Sequence, residues 1–322
     1  MKIIFNFFLS IIFFTACNAP KENPSGKTIP VIGFLDFVED PTLAKAKQGF
    51  FDALEKNGYS EKDSTIQIIY NNAQGDIPTL GQACDLLISK NVDLIATNTT
   101  LSTITAVQRT KTIPVCMMVA PRPDLAHLTD SLGNNPSNLF GVYETLDYID
   151  TAITIIKTLK PSAKKIGTVY NQSEPQSRDA FNKLDSKCKD LGLTLVSLPV
   201  NNSSETQLVT QSLLSKGIDV FFALPDNVIF ASFETIAKSC NDKNIPIFTS
   251  EAGLVDRGAV ASFGADFYSW GYQAGEQAAE FLKTKSLKNL KPEIVNVRRR
   301  IYKPEVAKKF NIVPDSSFAS YK

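Results

Sequence analysis

From Ile29 onward, short apolar runs alternate with longer segments in which apolar residues recur every three or four positions. The Ile- and Val-rich runs fit buried strands, and the longer segments fit amphipathic helices. IPVIGFLD (29–36) predicts a strand, and LAKAKQGFFDALEKNG (43–58) a helix closing on Gly58. TIQIIYNNA (65–73), VDLIATN (92–98), IPVCMMV (113–119) and NLFGVYE (138–144) predict further strands, with LGQACDLLISKN (80–91) a helix. Strands joined through helices imply a parallel sheet with right-handed crossovers, covered on both faces.

The second half repeats the first. KKIGTVYNQ (164–172) echoes PVIGFLDFV (30–38), KGIDVFFA (216–223) echoes KNVDLIAT (90–97), and KNIPIFTS (243–250) echoes KTIPVCMM (111–118). The pairs keep one order and lie about 130 residues apart, which predicts two equivalent α/β lobes rather than a solenoid. FYSWGYQAGEQAAEFLK (267–283) predicts a helix with a small-residue face of Gly271, Ala274, Gly275, Ala278 and Ala279. PEIVNVRRRIYKP (292–304) reads as one more strand, and EVAKKFNI as a short helix. The resulting division is an N-terminal lobe over 29–143 and 267–290 and a C-terminal lobe over 144–266 and 291–322.

The first residues follow a different pattern. MKIIFNFFLSIIFFTA (1–16) has one charge, Lys2, and an apolar run too short to span a bilayer comfortably, the layout of a secretory signal. The junction FTAC (14–17) resembles the lipobox of bacterial lipoproteins, whose cysteine is alkylated by diacylglycerol and becomes the new N-terminus; Phe14 replaces the usual Leu. Residues 17–28 then form the lipidated Cys17 and a Pro-, Asn- and Ser-rich tether. A plain signal peptide is the alternative. The expected location is the cell envelope, as a membrane-anchored lipoprotein facing the periplasm or the exterior.

Charge excludes one class of partner. The chain has 34 basic and 33 acidic residues, a net charge of +1, so no field favours nucleic acid. Cys84, Cys116, Cys188 and Cys240 have no metal-ligand spacing; most read as apolar packing residues, with a disulfide the alternative outside the cytoplasm.

Candidate chemistry collects in the loops after the strands, where ligands sit in open parallel sheets. These are DFVEDPT (36–42), TNTTLS (97–102), APRPDLAHL (120–128), YNQSEPQS (170–177), LPDNV (224–228) and TSEAG (249–253), all polar and uncharged or mildly acidic except for Arg122. Each also fits helix capping: Asp40-Pro41 as cap and first turn, and Ser173 with Gln176 as a capping box. A cap still leaves other N–H groups free for a ligand anion.

No GxGxxG, GxxxxGK[ST] or GxSxG motif is present, and the only histidine, His127, has no neighbouring ligand residue. Glu174, Asp226 and Glu251 read as partners for a ligand ammonium or hydroxyl, since no nucleophile or metal set accompanies them. No catalytic residue, metal or cofactor is expected, and the protein is read as a monomer that is not an enzyme.

The order YN-x-SEP-x-S, LPDN and TSEAGLVDRGAVASFGADFYSWGYQAG resembles the ABC-transporter substrate-binding lipoproteins of the TrpX-like, tryptophan/tyrosine type. That family shows a YNPSEPNS-like loop, a TDN turn, and Ser-Glu followed by KKGALATxGxDYYELGxxxG. The resemblance implies a type I periplasmic-binding-protein fold: α/β, two Rossmann-like lobes with parallel sheets joined by a three-crossover hinge. It further implies capture of a small polar or amino-acid-like ligand, an aromatic amino acid among the candidates, and delivery to an ABC permease in the membrane.

Carried over by position, Asn171, Ser173, Glu174, Gln176, Ser177, Asp226, Asn227, Ser250 and Glu251 line the second-lobe wall. Asp266 lies at a crossover. Thr97, Asn98, Thr99, Thr100 and Ser102 replace a TPAAQA-like loop, and their hydroxyls and amides suit a carboxylate; Phe37 and Asp40 follow the first strand. Where relatives show a VTDP-like loop, this chain has VAPRPD (119–124), with Arg122 added and the acid at Asp124. A ligand-sensing receptor of the same fold and a carboxylate-based hydrolase are the alternative readings.

Overall fold

The computed structural model describes residues 29–321, so the expected signal segment 1–16, Cys17 and the rest of the tether lie outside the described residues. The first lobe runs β1 (Val31–Asp36), α1 (Pro41–Lys56), β2 (Gln67–Asn72), α2 (Ile77–Ser89), β3 (Leu94–Asn98), α3 (Thr100–Arg109), β4 (Val115–Met118) and β5 (Leu139–Tyr143). The chain crosses over into α4 (Tyr148–Leu159), β6 (Lys165–Tyr170), α5 (Pro175–Asp190), β7 (Thr194–Pro199) and α6 (Thr206–Leu214). β8 (Val220–Ala223), α7 (Asn227–Ala231), α8 (Phe233–Asp242), β9 (Ile247–Thr249), α9 (Ala252–Asp256) and β10 (Ala261–Ala265) complete that unit. The chain returns with α10 (Phe267–Thr284) and β11 (Pro292–Ile294), then crosses again to β12 (Arg298–Tyr302), α11 (Pro304–Lys309) and β13 (Ala319–Ser320).

The two sheets have strand orders β11-β5-β4-β3-β1-β2 and β13-β12-β10-β9-β8-β6-β7. The sub-orders β4-β3-β1-β2 and β9-β8-β6-β7 are the same topology, which is the internal repeat seen in the sequence. Every pairing in the first sheet is parallel; in the second, only β10 with β12 is antiparallel. β3, β4 and β8 are buried along their whole length, as continuous apolar runs under helices on both faces must be.

Local chemistry sets the helix starts. Asp40 accepts from the amides of Thr42 (2.7 Å) and Leu43 (3.2 Å), with Pro41 in the first turn. α2 begins at Ile77, earlier than its apolar period indicates, because Asp76 caps it through the Thr79 amide and Pro78 fits its first turn. The small-residue face of α10 meets α1 at backbone distance. A Cβ on Gly271 would strike the Ala46 carbonyl, and one on Gly49 the Tyr268 carbonyl. Close packing there fixes α10 to the first lobe.

One expected segment divides. PEIVNVRRRIYKP holds two strands in different sheets: Pro292–Ile294 pairs with β5, and Arg298–Tyr302 pairs with β10. The second-lobe return thus starts after Ile294 and not at residue 291. Residues 295–297 form the third crossover, beside those at 144–147 and at Asp266. The cause is tertiary, since both strands are short and each needs only one open sheet edge. The four cysteines from Cys84 onward are buried and unpaired. No helix among the described residues is long and apolar enough to cross a membrane.

Candidate ligand-binding site

The loops after β1 and β3 flank the point where the first strand order reverses, and those after β6 and β8 do the same in the second lobe. The lobes face each other across these loops and enclose about 440 Å³ of empty space, counting its mouth.

On the first-lobe side the backbone is strained. Thr99 sits at φ 97° as the N-cap of α3 and Val119 at φ 50°, and both line the cavity. Positive φ is costly for β-branched residues, roughly 1–3 kcal/mol each, and such strain concentrates at functional sites. No side chain caps α3. The amides of Thr100, Leu101 and Ser102 have no partner among the described residues, and neither have the buried hydroxyls of Thr99 and Ser102. A ten-residue helix with open amides and orphan hydroxyls at its start is suited to an anion.

The second-lobe side carries acids. Glu251 is 1 % exposed, lines the cavity, and accepts from Ser250 Oγ (2.9 Å) and Tyr148 Oη (3.2 Å). Burial, reinforced by the nearby Glu144, pushes it up to about 7, against the pull of those two hydroxyls. Glu174 accepts from the Asn227 side chain (2.8 Å) and backbone (3.3 Å) and from the Gln176 side chain. Burial and the neighbouring Asp226 push it up to about 8. Asp226 caps α7 through the amides of Val228 and Ile229 and accepts from the Asn171 amide (2.7 Å) and the Ser177 hydroxyl. None of Glu174, Asp226 and Glu251 has a cationic partner among the described residues.

α7 and the start of α10 supply the apolar wall. Phe230, Phe267 and Trp270 form an edge-to-face chain with ring centroids 6.0 and 5.7 Å apart. Trp270 is fixed by its indole N–H, which donates to the Val142 carbonyl at 2.8 Å. Glu144 also lines the cavity, but Arg298 grips both its oxygens, at 2.6 and 2.9 Å.

The structure sorts the candidate residues. Thr99, Thr100, Gln176, Asn227 and Glu251 line the cavity. Phe37, Asn171, Ser173 and Glu174 line an adjoining interlobe groove that shares Asn227. Thr97, Asn98, Ser102, Ser177, Asp226 and Ser250 lie behind the wall: Thr97 bonds Thr103 (2.9 Å), Asn98 bonds Asp36 (2.8 Å), and Ser250 supports Glu251. Asp40 and Asp266 are elsewhere. Asp40 pairs with Arg257 of the other lobe at 2.6 Å, while Asp266 caps α10 and pairs with Arg299 at 2.9 Å.

The capping box at Ser173 is not formed. Glu174 is the N-cap of α5 without a side-chain bond, and Gln176 turns to the Glu174 carboxylate because that buried acid needs donors. Arg122 and Asp124 pair with each other at 2.6 Å, both well exposed. Sequence reasoning missed Glu144, Tyr148, Phe230, Phe267 and Trp270. The single tryptophan of the chain, placed just after a crossover, was the available signal.

Two lobes, three crossovers and a cleft with strand-end loops on both sides describe a solute-binding protein that closes over its ligand. The chain belongs to the family of ABC transporter substrate binding proteins, whose pattern matches residues 31–320. It is thus the solute-binding component of an ABC importer, working outside the cytoplasm. A tyrosine-binding protein of Clostridioides difficile (strain R20291) is 38% identical over 287 residues, 87% of this chain and 82% of that protein. A Streptococcus pneumonia structure in complex with L-Trp is 25% identical with a TM-score of 0.82, covering 89% of this chain and 96% of its own.

A ligand-free, open structure of a Clostridium difficile substrate-binding protein is 29% identical, covers 91% of this chain and 100% of its own, and has a TM-score of 0.65. The lobes of this protein are together.

Proposed function

We propose that the cavity takes an α-amino acid with an aromatic side chain. Its carboxylate meets the open amides at the start of α3 and the Thr99 hydroxyl, its ammonium meets Glu251, and its ring lies among Tyr148, Phe230, Phe267 and Trp270. The observation that carries this reading is the charge arrangement. The one cavity-lining carboxylate without a cation, Glu251, faces a first-lobe wall with unpartnered donors. A dipolar ligand satisfies both at once. The relatives described as binding tyrosine and L-Trp support the same class.

Trp270 makes the test direct, because it is the only tryptophan and it lines the cavity. Titration of the folded domain with L-tyrosine is expected to change its fluorescence saturably and to raise the melting temperature. L-Tyrosine, L-phenylalanine and L-tryptophan all failing to shift the melting temperature at millimolar concentration would sink the reading. The ligand is expected to be recovered unchanged, as from a site that binds without turnover; a product appearing over time would favour the hydrolase alternative.

The same reading has the mature chain a monomer tethered to the cell envelope by a lipid on Cys17. Metabolic labelling with a fatty acid is expected to mark the protein and to fail for Cys17→Ser. Labelling that survives that change removes the anchor.

A further inference from the structure

We infer that Arg257 is a positioning residue for ligand retention: it clasps the closed lobes through Asp40 and at the same time fixes two pieces of the cavity wall. Arg257 follows α9, the short helix that begins directly after the cavity-lining Glu251. Its guanidinium has five N–H donors, and the structure provides an acceptor for each. Nη1 donates across the cleft to Asp40 Oδ2 (2.6 Å) and Thr42 Oγ1 (3.2 Å). Nη2 donates within its own lobe to the Phe230 carbonyl (2.7 Å) and Glu234 Oε2 (2.8 Å), and Nε to Glu234 Oε1 (2.7 Å).

The Arg257 side chain is 10 % exposed and that of Asp40 1 %, so the pair is shielded from solvent. Beside it, α9 presents Gly253 to Thr42, at a distance where any Cβ would collide with the threonine side chain. The two lobes thus meet here with only the Thr42 side chain between them. Lys45 and Asp256 form a second, looser pair of opposite sense at 3.9 Å.

The consequence is a difference between states. The bonds to Glu234 and the Phe230 carbonyl stay within one lobe, whereas those to Asp40 and Thr42 exist only when the lobes are together. A contact present in one state alone biases the equilibrium toward that state. Ligand bound between the lobes leaves through the open form, so the clasp acts on release and not on encounter. Asp40 was expected from the sequence as a ligand residue; its place is in the closure itself.

The test uses Asp40→Asn, which keeps an effective helix cap but removes the charge, with Arg257→Lys and Arg257→Met. The probes are L-tyrosine and L-tryptophan, so this arm rests on the ligand reading above. Stopped-flow release is expected to quicken by roughly tenfold or more in Asp40→Asn and Arg257→Met, with the association rate within about twofold of the parent. Arg257→Lys is expected to restore part of the loss, and Asp40→Asn with Arg257→Met to lose little more than either alone.

Unchanged release in Asp40→Asn and Arg257→Met overturns the proposal, as does an equal fall in association, which would mark a merely structural defect. A second arm needs no ligand. Leu132 and Leu208 are exposed on opposite lobes, and the native cysteines from Cys84 onward are buried, so cysteines introduced at the two leucines accept labels for distance measurement. Asp40→Asn is expected to shift that distribution toward longer separations, and coincident distributions overturn the clasp. If neither amino acid binds the parent protein, the ligand reading falls and this arm still decides the clasp.

Discussion

The two walls of the cleft are built from duplicated chain yet treat charge in opposite ways. In the first lobe and its crossover, each buried acid has a cation: Asp36 has Lys47 at 3.6 Å, Asp40 has Arg257, and Glu144 has Arg298. In the second lobe, Glu174, Asp226 and Glu251 are equally buried and have hydroxyl, amide and backbone donors instead. Hydrogen bonds orient a buried carboxylate but leave its charge unbalanced. The first wall is electrically complete and short of acceptors, while the second holds spare negative charge. A neutral sugar would gain little from that difference; an amino acid gains at both ends.

The largest expected effect comes from Glu251→Gln, which keeps an acceptor for Ser250 and Tyr148 and removes the charge. Amino-acid affinity is expected to fall by roughly a hundredfold or more, read by titration calorimetry. The ligand-free protein is expected to be as stable as the parent or more so, since an uncompensated buried charge is removed. An affinity change below about threefold would break the comparison of the two walls.

The same carboxyl predicts opposite pH trends. Burial raises Glu251 from 4.5 to about 7, so its native form holds a proton that the unfolded chain has already lost in that window. Ligand-free stability therefore falls as pH rises from 4.5 toward 7, by a few kcal/mol at most on this account. Ammonium binding needs the ionised form, so affinity rises over the upper part of that window and levels above it. Melting curves and titrations across pH 5–8 separate the two trends; Glu251→Gln flattens the affinity trend and removes its share of the stability trend, leaving the share of Glu174, which burial and Asp226 push up to about 8.

Arg298→Gln tests the opposite case, where a cavity acid does have its cation. Removing it leaves Glu144 unpaired beside Glu251. Because Arg298 is partly exposed, the expected loss is about 1–3 kcal/mol of ligand-free stability, measured by denaturant unfolding. Thr99→Val addresses the anion end. It deletes an orphan hydroxyl at constant shape, and affinity is expected to fall by roughly tenfold with ligand-free stability unchanged or slightly raised. Trp270→Phe is the mildest change. It loses the bond to the Val142 carbonyl and part of the aromatic wall, costing about 1 kcal/mol in unfolding free energy.

The repeat of strand entries was legible in the sequence because both lobes obey the same local rules. KKIGTVYNQ and PVIGFLDFV became β6 and β1, each the third strand of an identical sub-order. The small-residue face of α10 was legible for the same reason, since helical periodicity brings Gly271 and Gly275 together without reference to a partner. Asp40-Pro41 was read correctly as a cap, while the cation that Asp40 meets was not legible. Capping depends on residues within one turn, whereas the Arg257 it also meets lies more than two hundred residues away in sequence. YNQSEPQS gave the wrong cap because Glu174 answers to Asn227 and Asp226, which follow the neighbouring strand β8, and Gln176 turns to Glu174.

By itself the sequence determined two parallel α/β lobes, their strand-end loops, and the polar residues those loops offer. Tertiary structure alone decided that Thr99 and Glu251 face the cavity while Ser177 and Asp226 hold its wall from behind. It also decided that Phe230, Phe267 and Trp270 complete the enclosure, and that β11 and β12 belong to different sheets. The physical reason is range. Periodicity, caps and turn chemistry act within a few residues, but the pairing of a buried charge is settled by whatever the folded chain brings within a few ångströms of it.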